Sequence, residues 1–367
     1  MTEDIQRRSS KATVLITGFP RLLARGLAIQ ALSASPQRNV ALFVTADDEQ
    51  SLREWIQERL PEKTKRIRVL VGQATTVDLG LSGREIHSLR RSVTHIFHAV
   101  SDLAAPTRLQ QQHLLHLNRL LILARDCPYL SRFCFFSSSF ISGDRSGVIH
   151  EEDLDLGQKF RTPFERNMVN AEHILRAAMP RIPITIFRPS SMIGHSRTGD
   201  AKGLTEGPSY LLSLMLRLPT EIPVYLPGSG IGPFNIVPVD YVVHASWALA
   251  HHQAAMGRTF HLTDPNPMSA KQAFELLADI ANRPAPRFGT LVVGMAKKVL
   301  RRSRLGHVLP VTRVLVGDLT DDVTYDCAGT LELLADTDIR CPPFSDYADI
   351  LVMWMANLER ERNNRTH

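Results

Sequence analysis

The sequence predicts an α/β fold: a doubly wound parallel sheet with a smaller C-terminal substrate-binding lobe. From Ala12 to about Ser190, short β-branched runs alternate with segments of helical period. The short runs are apolar on both faces, as strands covered by helices on both sides must be. After Ser190 the texture changes to loops punctuated by Gly and Pro.

In order, the pattern opens with the strand TVLITG and the helix LLARGLAIQALSA. The strand NVALFVTA, the helix DEQSLREWIQERL and the strand RIRVLVG follow, then the strand THIFHAV and the long helix RLQQQHLLHLNRLLILARD. RFCFFSS, PFERNMVNAEHILRAAM and ITIFRPS complete a unit of about six strands. Residues 12–190 therefore read as the core. Residues 191–367 read as a substrate-side lobe interleaved with it, through loops such as GHSRTGDAKG and LPGSGIGPFNIVP. In LVVGMAKKVLRRSRLGHVL, Val292, Met295, Ala296, Val299 and Leu300 share one helical face, flanked by Lys297, Lys298, Arg301 and Arg302. Two readings of 291–304 stand: a solvated lid, or a peripheral contact with a membrane or an acidic acyl carrier.

Composition narrows the function classes. A chain of 367 residues, 44% hydrophobic, is long enough to bury one large core or a core plus a lobe. A net charge of +6, from 43 basic and 37 acidic side chains, is too mild to argue for nucleic acid. Cys127, Cys134, Cys327 and Cys341 form no CxxC pair and no metal-ligand spacing, which predicts no metal and a reduced, cytoplasmic setting. The first residues are polar rather than signal-like, and no stretch reaches the roughly 18 apolar residues of a membrane span.

Five stretches resemble the extended short-chain dehydrogenase/reductase family in order and spacing: VLITG, FCFFSSSFISGD, RPSSMIGHSRTGD, PFNIVPVDYVVHA and TFHLTDPNP. The likeness is to its acyl-thioester and fatty-acyl reductase branch, and it implies a Rossmann-like core, a nicotinamide cofactor (NADP or NAD) and an acyl or carbonyl substrate. It also implies a tyrosine that moves the proton, a lysine one helical turn later that lowers its pKa, and a serine that orients the carbonyl. Ser138 falls at the serine position; a hydroxyl bonded only to backbone is its plainer reading. Phe164 falls at the tyrosine position and Met168 at the lysine position, and neither has a titratable proton or a charge. None of the six tyrosines has a lysine four positions on.

The nucleotide loop departs as well. The family's TGxxGxxG reads Thr17-Gly18-Phe19-Pro20-Arg21-Leu22-Leu23-Ala24, with Arg21 where pyrophosphate approaches bare backbone. Arg21 either fills the phosphate site or swings out to pair with a phosphate. The second strand ends in Thr45, followed by Asp47, which reads as a ribose contact or as the N-cap of the next helix. Gln73 stands where relatives carry aspartate. His98 and Ala99 resemble the loop beside the nicotinamide, Asn118 matches a supporting asparagine, and Arg188, Ser190 and Arg197 match substrate-side loops.

These departures together suggest a relaxed need for the dinucleotide and a chain without ordinary hydride transfer. Such a chain binds an acyl-type ligand, a carrier-bound acyl group or a protein partner. The alternative is altered chemistry, either non-redox or an atypical reductase, with Glu165, Arg166, His150 and Glu151 as candidate acids and bases. The resemblance also implies homodimerisation through the two helices PFERNMVNAEHIL and RLQQQHLLHLNRL.

Overall fold

The computed structural model of the chain describes residues 12–99, 107–202, 212–213, 216, 225–289, 319 and 322–365. The segment 291–304 lies outside the described residues.

The first half runs β1 (Thr13–Thr17), α1 (Leu22–Ala34), β2 (Asn39–Val44), α2 (Ala46–Arg59), β3 (Ile67–Val71), α3 (Gly83–Ser92), β4 (Val93–His98), α4 (Thr107–Arg125) and β5 (Arg132–Phe136). Then come β6 (Gly147–Ile149), α5 (Pro163–Ala178), β7 (Ile184–Pro189), β8 (Ser191–Met192), β9 (Tyr225–Pro227), β10 (Ile236–Val237) and α6 (Val239–His251). The described chain ends with β11 (Thr259–Leu262), α7 (Ala270–Ile280), β12 (Arg287–Gly289), β13 (Val323–Tyr325), α8 (Ala328–Leu334) and α9 (Ala348–Arg365).

The main sheet has seven parallel strands in the order β11-β7-β5-β4-β1-β2-β3. Every residue of β1 is buried, and the strand sends alternate side chains to two cores. Val14 and Ile16 join α1, α2 and α6 on one face, while Leu15 joins α3, α4 and α5 on the other. This is the two-sided cover that the apolar runs predict.

The seventh strand was missing from the count of about six. β11 is only four residues long and arrives after the Gly- and Pro-rich region, yet it pairs with β7 from Thr259 to Leu262. Residues beyond 190 thus return to the sheet, and α6 comes back to cover α1. A separate apolar cluster is made by α7, α9 and the β8–β10 region, with Phe234, Phe274, Phe344 and Leu351 buried. Among the described residues no helix is long and apolar enough to cross a membrane.

Candidate functional site

The order in which successive strands are added reverses between β1 and β4, and an open α/β sheet forms its ligand crevice at the carboxyl ends of the strands there. Gly18 leaves β1 with φ at +103°, a conformation open to glycine, and its carbonyl accepts from the Arg21 N–H at 3.1 Å as the chain turns into α1. A cavity of about 380 Å³ opens beside this turn, with Gly18, Arg21, Thr45, Gln73 and His116 on its walls. Four of the residues expected to face a cofactor are therefore brought together. Ala24 is buried one turn into α1, beneath the loop.

Thr17 and His98 close the ends of β1 and β4, sharing a hydrogen bond of 2.7 Å between Oγ1 and Nδ1. The Ala99 N–H donates to the Thr17 carbonyl at 3.3 Å. His98 is fully buried, and that burial, with His116 and His113 alongside, holds its pKa well below the usual histidine range. His116, whose ring meets His98 edge-on at 4.8 Å, is held down to about 3 for the same first reason. Asp47 is not the cap of α2: Thr45 holds that position, and its hydroxyl reaches Asp48 at 3.3 Å.

Ser138, expected at the catalytic serine position, caps a short 3-10 turn, its hydroxyl accepting from the Phe140 N–H at 3.2 Å. Phe164 and Met168 sit one turn apart on α5, each 1% exposed, in the apolar cluster with Leu117, Leu120, Ile141 and Leu154. Their environment is as apolar as their side chains. Asn118 donates to the Leu114 carbonyl of its own helix at 3.0 Å, which is the local role of a mid-helix amide. Glu165 accepts from the Arg161 N–H at 2.6 Å while its own N–H donates to the Thr162 hydroxyl, so it belongs to the start of α5. Burial raises the Glu165 pKa.

Arg188, expected on the substrate side, has its guanidinium turned into the core. It is wholly buried, and its guanidinium grips Glu172 through Nε and Nη2 at 2.9 and 2.7 Å. Nη1 donates to the Glu151 carbonyl and Nη2 to the Asp153 carbonyl, so Arg188 fastens β7 to α5 inside the core. Glu151 is likewise occupied, accepting from the His261 N–H and the Thr330 hydroxyl at 2.9 Å each. His150 is exposed and pairs with Asp326 at 2.9 Å, which raises its pKa. Arg166 lies over the Phe160 ring. Ser190 stands at the end of β7, its hydroxyl buried without a hydrogen-bond partner among the described residues; Ser137 and Ser139 beside Ser138 share that condition. Arg197 is exposed.

The long-range network that joins Glu151, His261 and Thr330 was not foreseen, because its members are more than one hundred positions apart in part. No group of His, Cys, Asp and Glu suited to a metal ion occurs among the described residues.

Residues 16–246 match the NAD-binding family described as Male sterility protein. Among individual proteins, the chain is 25% identical to the non-canonical nonribosomal peptide synthetase hkm10 of Aspergillus hancockii, over 71% of this chain and 27% of that protein. It is 26% identical to the aldehyde reductase lnbA of Aspergillus flavus, over 60% of this chain and 23% of that protein. The chain thus spans about a quarter of the length of these relatives. In fold it is similar to the terminal R domain of the myxalamid biosynthetic pathway, with a TM-score of 0.76, 20% identity and 95% and 91% of the two chains covered. The reductase domain of a nonribosomal peptide synthetase from Mycobacterium tuberculosis gives a TM-score of 0.73 at 18% identity, over 95% and 92%. With the matched region extending over more than half of its length and spanning β1 to α6, the chain belongs to the Male sterility protein family of NAD-binding domains.

Proposed function

We propose that the chain is a member of this family that handles an acyl- or carbonyl-type ligand, free or held as a thioester on a carrier, without carrying out ordinary hydride transfer. The observation that carries this reading is the burial of Phe164 and Met168 at the positions of the proton relay. A phenyl ring has no proton to give, and a thioether cannot lower a neighbour's pKa or hold a ribose hydroxyl as an ammonium does.

The two halves of the crevice differ in how they suit a dinucleotide, NADP or NAD, which would supply hydride when bound. On the adenosine side, the 380 Å³ cavity is on the scale of small-ligand pockets, and Gly18 lets a phosphate approach the backbone. On the nicotinamide side, Phe164 and Met168 supply neither the phenol nor the ammonium that the resemblance implies at those positions. Ligand binding at the substrate side is supported by the buried hydroxyls of Ser137, Ser139 and Ser190, which have no hydrogen-bond partner among the described residues. A non-redox reaction would need a titrating group in the crevice, and Glu151 and Glu165 are committed to backbone and Thr330 contacts. The unpaired cysteines suit a reducing, cytoplasmic setting.

Calorimetric titration with NADPH and NADH, on the wild type and Arg21→Gly, tests the cofactor half of this account. Absent or weak binding in the wild type with recovery in the variant is expected if Arg21 closes the phosphate position. Binding near micromolar, about −8 kcal/mol, in the wild type would contradict it.

A further inference from the structure

A second concave site lies on the far side of the sheet. Its volume is about 1050 Å³, and it is walled by the amino-terminal ends of β1, β2, β3 and β4, by the turn before β3 and by α3. The ligand crevice of this fold opens at the opposite, carboxyl ends, so this cleft is separate from it.

The charge of the cleft is one-sided. Among its described lining residues are Lys65, Arg66, Arg68, Arg84, Arg91 and His87, and no acid. The sequence places the α3 members there by periodicity. Arg84, His87, Ser88, Arg91 and Ser92 fall at i, i+3, i+4, i+7 and i+8, one continuous face, while Ile86 and Leu89 turn the other face into the core. A helix that buries an ordinary apolar stripe therefore presents a basic one to the cleft.

Not all of these cations are available. Arg66 is held by the Leu32, Ser35 and Arg38 carbonyls at the end of α1. Lys65, Arg84 and Arg91 are exposed and make no ion pair or hydrogen bond among the described residues. Arg68 donates through Nη1 to the Ser88 hydroxyl at 2.8 Å, but its Nε and Nη2 are shielded from water with no hydrogen-bond partner among the described residues, although its charge is felt by Glu85. Those two nitrogens form the side-on fork that matches a carboxylate or phosphate. Unmet buried donors cost free energy, so a bound anion that displaces their cover would satisfy them.

We propose that this cleft binds a small anion bearing several phosphoryl groups, as a polyphosphate chain or as the chain of a nucleotide. Three exposed cations on two walls, with a buried guanidinium fork between them, suit several negative charges in a row better than one. The Ser88 hydroxyl, which accepts from Arg68, adds a neutral donor on the same wall, while the Ser92 and Thr94 hydroxyls already donate to the Ser88 and Thr13 carbonyls. The recessed shape, of small-ligand size, favours a compact ligand over a flat protein surface.

The test is calorimetric titration of the full chain with inorganic tripolyphosphate and with ATP, at low and physiological salt. Wild type would be compared with Arg84→Glu/Arg91→Glu, Lys65→Glu and Arg21→Gly, each checked for folding by circular dichroism. The expected result is binding that weakens at least tenfold in the charge-reversed variants and with added salt, and that is not weakened in Arg21→Gly, where any extra binding event belongs to the carboxyl-end crevice. Equal affinity for the two probes assigns the site to the phosphoryl chain alone, and tighter ATP binding assigns it to a nucleotide. No binding up to millimolar probe, or the same affinity in all variants, overturns the proposal. Loss confined to Arg21→Gly also overturns it, since the phosphate would then occupy the carboxyl-end crevice. A polyglutamate peptide that binds more tightly than tripolyphosphate, and is lost with the same reversals, would replace the small anion with an acidic protein partner.

Discussion

Arg188 carries more of the molecule's internal polarity than its place in a substrate-side motif suggests. Its contacts with Glu172, two carbonyls and the His261 ring at 3.3 Å leave a buried cation compensated only while every partner stays. Removing one partner strands the other charge, so Glu172→Ala should lower stability by about 3–5 kcal/mol in urea unfolding. A loss below about 1 kcal/mol would mean the pair behaves as an exposed one. The buried histidines make a second residue-scale prediction. Burial is the first cause that holds His95, His116 and His261 down to about 3, from a usual value of 6.5. Their depressed folded pKa means that the unfolded chain binds the extra protons. The stability they contribute is present above pH 6.5 and is lost as pH falls toward about 3. Each histidine should add a slope of about 1.4 kcal/mol per pH unit. The acids Glu151 and Glu165 act oppositely: burial raises their pKa, so their contribution is present at low pH and lost as pH rises through the raised values. Urea unfolding across this range, with His116→Phe as comparison, should show a shallower acid loss in the variant; an unchanged slope would exclude His116 as a source.

At the scale of elements, the helix that follows the nucleotide turn explains a glycine that no motif marks. A Cβ on Gly26 would lie 2.7 Å from Val243 Cγ2, so α1 and α6 are packed closely where that side chain is missing. Gly26→Val should therefore cost about 1–3 kcal/mol by overpacking, and Val243→Ala should restore part of it in the double variant. Additive losses in the two variants would show that the helices do not meet there as described. The strands were legible because Val14, Leu15 and Ile16 are apolar on both faces, a pattern that parallel sheets demand. β11 was not counted, because four residues placed after a loop-rich stretch give too short a run to separate strand from loop. The cap of α2 was misplaced by two residues, from Thr45 to Asp47, since both residue types cap helices and only backbone geometry separates them.

At the scale of the whole molecule, the crevice at the carboxyl ends follows from the strand order. Gly18, Arg21, Thr45 and Gln73 meet on its walls although they span three strand-to-helix connections. The resemblance marked them in the sequence, and each lies in a loop that follows a strand of one parallel sheet. Arg188 and Glu151 were harder, since whether a charge faces a ligand or a buried partner depends on contacts from distant segments such as Thr330. The basic cleft was illegible for a related reason: Lys65, Arg68, Arg84 and Arg91 come from three parts of the chain, the turn before β3, β3 and α3, that only the fold brings together. The central claim is that Phe164 and Met168 leave the chain without a proton relay. It is tested most directly by single-turnover incubation with NADPH deuterated at the transferred position and an acyl thioester, followed by mass spectrometry of the acyl product. The account predicts recovery of unlabelled thioester, and deuterium in an aldehyde or alcohol product would contradict it.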